Sequence, residues 1–270
     1  MMHRDDVKGL LDRVGVLGIT EKALRSVRAL TTETGRLQRR HRDMMLPFYR
    51  ELMSPGDLVF DVGAHLGGRT EIFLALGARV VAVEPQPECV KRLHRHFGAD
   101  IRVNIIDRAL DRTPGERVMR GSTQSPMASL SEGWIKAVEA SGRFASSEFS
   151  VEHRVHTTTL DSLIAVFGLP RFCKIDVEGF ELEVVSGLSH PIPGLSLEFT
   201  PETMDSSVAA MTKLDSIAPY EYNFASGESM HLDFPRWLPR TAFVEALKGL
   251  MPAGGRQQFY GDLYARRQVG

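Results

Sequence analysis

The chain has 270 residues, 43% of them hydrophobic and 25% charged, an ordinary composition for a soluble globular protein with a core large enough to need no staples. Its 33 basic and 34 acidic residues leave a net charge of −1, so no global field draws it to nucleic acid or to a lipid surface. Two cysteines, Cys89 and Cys173, exclude a disulfide framework and a cysteine-based zinc centre. No stretch approaches the roughly 18 consecutive apolar residues of a membrane span. The opening MMHRDDVKGLLDRVG lacks the apolar run of a secretory signal, so the expected location is cytoplasmic.

Residues 1–50 read as a helical extension: EKALRSVRAL and LQRRHRDMMLPFYREL carry apolar residues at helical spacing with charges between them. From Arg4 to Arg50 there are 11 Lys/Arg against 6 Asp/Glu, which reads as a solvated face, with a homodimer contact or a guide for an anionic substrate as alternatives. From 51 onward the pattern becomes one α/β domain. DLVFDV, ARVVAVEP, IRVNIID, RFCKIDV and LSLEF are apolar strands, and GRTEIFLALG, PECVKRLHRHFG and FELEVVSGL are helices between them. Such alternation predicts a parallel sheet with helices on both faces. Residues 112–157, rich in Ser and Gly, are the least regular part and read as a lid or binding loop. The tail reads as a helix (SSVAAMTKLDS), a strand (YEYNFAS) and a closing strand (QFYGDLYARR).

The stretch FDVGAHLGGRT, from a strand into a helix, admits three readings. As a nucleotide phosphate loop it has Gly63, Gly68 and Thr70 in place but Arg69 where a lysine belongs. As a dinucleotide fingerprint it has His65 where the middle glycine must let backbone approach a pyrophosphate. The third ligand is S-adenosylmethionine, which has no phosphate and carries a cationic end. Asp61, just before the glycines, would repel phosphate and attract an ammonium or sulfonium. Glu84, 23 residues on at the tip of the next strand, suits the two ribose hydroxyls.

Several ordered segments resemble the FkbM family of S-adenosylmethionine-dependent methyltransferases. VFDVGAHLGGRT is similar to the family's D-V-G-A-N-x-G followed by Thr, with His65 where Asn is usual. VVAVEPQPECVKRLHRHF resembles its E-P-x-P segment, and VNIIDRALDRTPGE its Ala-Leu hairpin. TTTLDSL and CKIDVEGFELEVVSGL resemble its T-L-D and K-I-D-V-E-G-x-E signatures, and GDLYARR its closing strand. The resemblance implies a Rossmann-like class I methyltransferase fold with a mostly parallel seven-stranded sheet. It implies cofactor binding at Asp61, Gly63, Gly67 and Glu84, with Asp107, Arg108 and Ala109 bordering the adenine and Thr70 bonding the methionine carboxylate or capping its helix.

Asp176 and Glu178 end an apolar strand at the edge where open α/β sheets bind ligands. Asp176 is expected to orient the methionine amino group or the acceptor, and Glu178 to take a proton or to cap the helix that follows. With Glu198 they form an oxygen set that a divalent metal would accept, though no metal site is assigned. His65, inside the cofactor loop, is a further candidate base, with His153 and His156 as weaker ones. The expected activity is methyl transfer to a hydroxyl of a small-molecule acceptor, a sugar or natural product, with no nucleic-acid partner. The alternatives are a different acceptor, a P-loop-like nucleotide-binding protein, or a non-catalytic adenosine-binding scaffold. Acceptor choice is expected to lie with the helical first 50 residues and the 120–150 part of the variable loop.

Overall fold

A computed structural model describes residues 33–122, 128–141, 149–251 and 259–268. The chain divides into two compact units, 1–47 and 48–270. In the first, the described residues belong to helix α1, Glu33–Arg50, whose last turn enters the second unit. There Tyr49 is fully buried, its ring edge-on to Phe73 at 5.0 Å. The EKALRSVRAL segment lies outside the described residues.

The second unit is built on a seven-stranded sheet. Strands β1 (Leu58–Val62), β2 (Arg79–Val83) and β3 (Val103–Ile106) alternate with helices α2 (Gly68–Ala75) and α3 (Pro87–Phe97). All five residues of β1 are buried, as expected of a strand covered on both faces. Pro87 starts α3, where its fixed φ suits the first turn and its missing N–H costs no bond. Further on come β8 (Phe172–Ile175), helix α6 (Glu181–Ser186), β9 (Gly194–Phe199), helix α7 (Met204–Ile217), β10 (Tyr220–Ser226), helix α8 (Arg240–Leu250) and β11 (Gly261–Arg267). The order across the sheet is β10-β11-β9-β8-β1-β2-β3, with β11 antiparallel to both neighbours and the other pairs parallel. This is the Rossmann-like, mostly parallel seven-stranded sheet the sequence predicts. The chain order reverses between β1 and β8, which opens a crevice at their C-terminal ends. Helix α8 was not among the expected elements; its buried Phe243 and Leu247 join the core beneath β10.

Residues 112–157 depart from the expected irregular loop. Strands β4 (Ala109–Leu110), β5 (Gly115–Gly121), β6 (Ala128–Ser129) and β7 (Val151–Thr158) form a second sheet in the order β4-β7-β5-β6, and helix α4 (Glu132–Ser141) follows β6. The strand signal was weak because β5 (GERVMRG) and β7 (VEHRVHTT) each hold only two large apolar residues and are exposed at half or more of their positions. They are held by a seven-residue antiparallel register with each other, from Gly115–Thr157 to Gly121–Val151. Residues 123–127 and 142–148 of this segment lie outside the described residues. Between the two sheets in sequence, helix α5 (Leu160–Phe167) begins at Thr159, whose side chain accepts from the Ser162 amide at 3.0 Å.

Candidate active site

A cavity of about 290 Å³ opens at the C-terminal ends of β1, β2 and β8. The glycine turn forms one wall, and its glycines serve packing. Gly63 has φ +78, and a Cβ there would stand 1.8 Å from the Asp176 carbonyl oxygen; the missing side chain lets the turn lie directly on the backbone after β8. Gly67 has φ +85, and a Cβ would strike the Phe97 ring at 2.4 Å, so this glycine admits α3 and does not line the cavity. His65 takes φ +49 between them.

Four of the turn's amides are consumed internally. Those of Gly63 and Ala64 both donate to the Val83 carbonyl, and that of Gly67 to Ala64. The His65 amide donates to Glu84 Oε2 at 2.7 Å, and the Gln86 amide to Oε1 at 2.8 Å. Glu84 is thus clamped by one N–H on each oxygen, with lone pairs remaining on both. Burial pushes its carboxyl up to about 7, against the lowering effect of the two amides.

Asp61 and Thr70 lie behind this wall. Both are buried, and the Thr70 hydroxyl donates to Asp61 Oδ2 at 2.6 Å. Thr70 therefore supports Asp61 instead of reaching toward a methionine carboxylate. Asp61 Oδ1 is buried with no hydrogen-bond partner, and burial raises this carboxyl above its ordinary range. On the far side, Arg108 and Ala109 line the cavity, while Asp107 is exposed and outside the lining. Met119 and Ala128 of the second sheet and Leu130, just past β6, complete this wall. Sequence reasoning missed them; their only signal was three apolar residues in a Ser- and Gly-rich stretch.

The third side comes from β8 and the turn after it. Asp176 and Glu178 line the cavity. The turn is tight: Glu178 has φ +55 and Gly179 φ +85, and a Cβ on Gly179 would fall 2.4 Å from Trp134. Glu181 Oε1 accepts from the Val177 and Gly179 amides, and the Glu178 carbonyl accepts from the Ser129 hydroxyl at 2.6 Å. Glu181, rather than Glu178, thus closes the start of α6. Beneath, the buried Lys174 Nζ donates to Asp176 Oδ2 at 2.5 Å. Burial would raise the Asp176 carboxyl, but Lys174 outweighs it and holds the group below its ordinary range.

Asp176, Glu178 and Glu198 each place a carboxylate oxygen within 4.8 Å of the other two. Glu198, which hydrogen-bonds Asp176, is raised well above its ordinary value by burial and then by Asp176. Glu178 is raised to about 8 by the same two causes. One carboxyl held low by an ammonium beside two pushed up is the pattern expected of crowded acids. Oxygen donors at this spacing also match what a magnesium-like ion accepts. His65 lines the same cavity; burial lowers its pKa, and its Nε2 has no hydrogen-bond partner. His153 and His156 lie on exposed positions of β7, away from the lining.

The family model described as "Methyltransferase FkbM domain" matches residues 61–216. No curated protein matches the chain in sequence. Among solved structures, the chain is similar to precorrin-6y C5,15-methyltransferase from Geobacter metallireducens, at 10% identity over 84% of this chain and 87% of that one, TM-score 0.44. It is similar to the plantazolicin methyltransferase BpumL solved with SAH, at 10% identity over 92% and 91%, TM-score 0.40. It is also similar to cofactor-bound Rv0187 from MTB, at 13% identity over the full length of both chains, TM-score 0.40.

Proposed function

Because the chain belongs to the FkbM methyltransferase family, a family of S-adenosylmethionine-dependent enzymes, we propose that it methylates a hydroxyl of an uncharged sugar or natural product at the cavity between Glu84 and Asp176. The observation that carries the placement is the state of the glycine turn. The Gly63, Ala64, His65 and Gly67 amides already have acceptors, so they offer no nest to a phosphate. What the turn presents instead is the Glu84 carboxylate, an acceptor for hydroxyl donors.

S-adenosylmethionine, when bound, supplies a methyl group activated by a sulfonium leaving group. The chain's contribution is alignment and proton handling. Glu84 would accept from the ribose hydroxyls, Met119, Ala128 and Leu130 would flank the adenine, and Asp176, set against Gly63, would accept from the methionine ammonium. Such alignment is worth up to ~7–11 kcal/mol in favourable reactions. Two groups are placed to take the acceptor's proton. His65, kept neutral by burial, is ready at pH 7, whereas Glu178, raised to about 8, is largely protonated there. Reach across neutral pH therefore favours His65 as the base.

A second recess of about 500 Å³ shares Leu130 and Phe180 with the first. Its lining mixes Val118 and Leu182 with Ser131, Ser206 and Glu132. Its Arg117 and Glu183 are already paired with Asp111 and Arg112. This supports an amphipathic acceptor without strong charge. Calorimetry with S-adenosylhomocysteine and ATP tests the cofactor assignment: binding of the first and not the second is expected, and the reverse would overturn it. A methyl-transfer screen over saccharides and macrolides, with RNA and protein acceptors alongside and chelator controls, tests the acceptor class. Transfer confined to RNA or protein would refute it.

A further inference from the structure

We propose that Lys174 is a positioning residue for this site: from beneath the sheet edge its ammonium fixes Asp176 as the carboxylate that meets the cofactor's ammonium. The proposal rests on the placement of Asp176 argued above. Lys174 lies on β8 and Asp176 directly follows its last residue; two residues apart along an extended chain, their side chains project to the same face. The Lys174 side chain is 3% exposed and that of Asp176 34%, with 2.5 Å between Nζ and Oδ2. The lysine is therefore sealed from the cavity while its partner is open to it.

Lys174 does not act on substrate itself. Burial alone would lower its pKa, but the Asp176 carboxylate, and then Asp262, outweigh burial and hold it above its ordinary value; it stays charged and is neither base nor nucleophile. Its neighbours across the sheet are Asp61 on β1 and Ser196 on β9, both in direct register with it. Each carries a buried oxygen without a hydrogen-bond partner, yet the short bond goes to Asp176. Asp176 is also fixed through its backbone, since its amide donates to the Val62 carbonyl at 3.0 Å and its carbonyl lies against Gly63. Main chain and side chain are thus anchored from two different strands. A carboxylate held at both ends needs no reorganisation when a cationic ligand arrives.

The test is S-adenosylhomocysteine affinity of the full chain by calorimetry, with thermal melts confirming a folded protein. Lys174→Met is expected to weaken binding about tenfold or more, the scale of a hydrogen bond to a charged group, and Lys174→Arg to recover most of the loss. Asp176→Asn is expected to weaken binding similarly, and the double variant no further than Asp176→Asn alone. Lys174→Gln, which keeps a donor without the charge, carries the same expectation if the Met variant does not fold. Wild-type affinity in a folded neutral variant, or losses that multiply in the double variant, overturns the role of Lys174. Wild-type affinity in Asp176→Asn removes the placement of Asp176 itself. Weak binding by Asp176→Asn with tight binding by Lys174→Met removes only the lysine's part.

Discussion

The two ends of the cavity hold their acids in opposite ways. At the β2 end, Glu84 is fixed by backbone alone, one amide on each oxygen, and those amides come from turns whose shape is set by Gly63, His65 and the Pro87 helix start. At the β8 end, Asp176, Glu178 and Glu198 hold one another, with Lys174 as the cation among them. Backbone donors cannot titrate, so the clamp on Glu84 stays the same while the carboxyl it holds gains or loses its own proton. The Asp176 end is a set of coupled charges whose state depends on pH and on what binds there.

The largest break in this contrast is expected from Gly63→Ala, because Gly63 is where the two ends touch. The added Cβ meets a backbone carbonyl at 1.8 Å and sits at φ +78. A loss on the order of 4 kcal/mol or more is expected, in the range reserved for buried clashes, read as a collapse of the melting temperature together with S-adenosylhomocysteine binding. A stable, binding-competent Gly63→Ala chain would contradict the packing described.

Next in size, Glu84→Ala breaks one end only. It is expected to weaken S-adenosylhomocysteine binding by about 1.5–3 kcal/mol with the fold intact, by calorimetry. The same end gives a pH signature. The folded Glu84 pKa of about 7 lies above its ordinary 4.5, so the folded chain takes up a proton in that window. Its contribution to stability is present below about 4.5 and falls as pH rises through 7. Ligand binding has the opposite sign, since the ribose needs the ionised acceptor. Wild-type affinity should rise with pH up to about 7 and then level, and Glu84→Gln should flatten the rise; an unchanged slope in that variant would assign the effect elsewhere.

A smaller effect sharpens the other end. With an acceptor in hand, a His65 base predicts a rate already level at pH 7, and His65→Ala then lowers it by roughly 10²-fold or more. A Glu178 base predicts a rate still climbing through about 8. The smallest effect is expected from His153→Ala and His156→Ala, which lie on exposed β7 positions away from the cavity. Both should transfer methyl groups at the wild-type rate, and a large loss in either would move the acceptor site toward the second sheet.

The main sheet was readable because its strands are short, apolar and bounded by Gly and Pro, signals that survive without any knowledge of neighbours. Glu84 was readable for a related reason: a carboxylate just past a buried strand has one place to go. The second sheet was not, since β5 and β7 each carry only two large apolar residues among charged, polar and glycine positions and become strands by pairing with each other. Helix α8 buries only Phe243 and Leu247, a narrow stripe among its eleven residues.

By itself, then, the sequence determined the order of the main sheet's strands, the turn that joins β1 to α2, and the acids at the strand tips, because these follow from local pattern and the chain's own covalent spacing. Only the tertiary structure decided what each residue faces. It turned Thr70 toward Asp61, placed Gly67 under Phe97, left Asp107 in solvent, and set Lys174 beneath Asp176. Those outcomes depend on which backbone lies a few ångströms away across the sheet, a distance that has no counterpart along the chain.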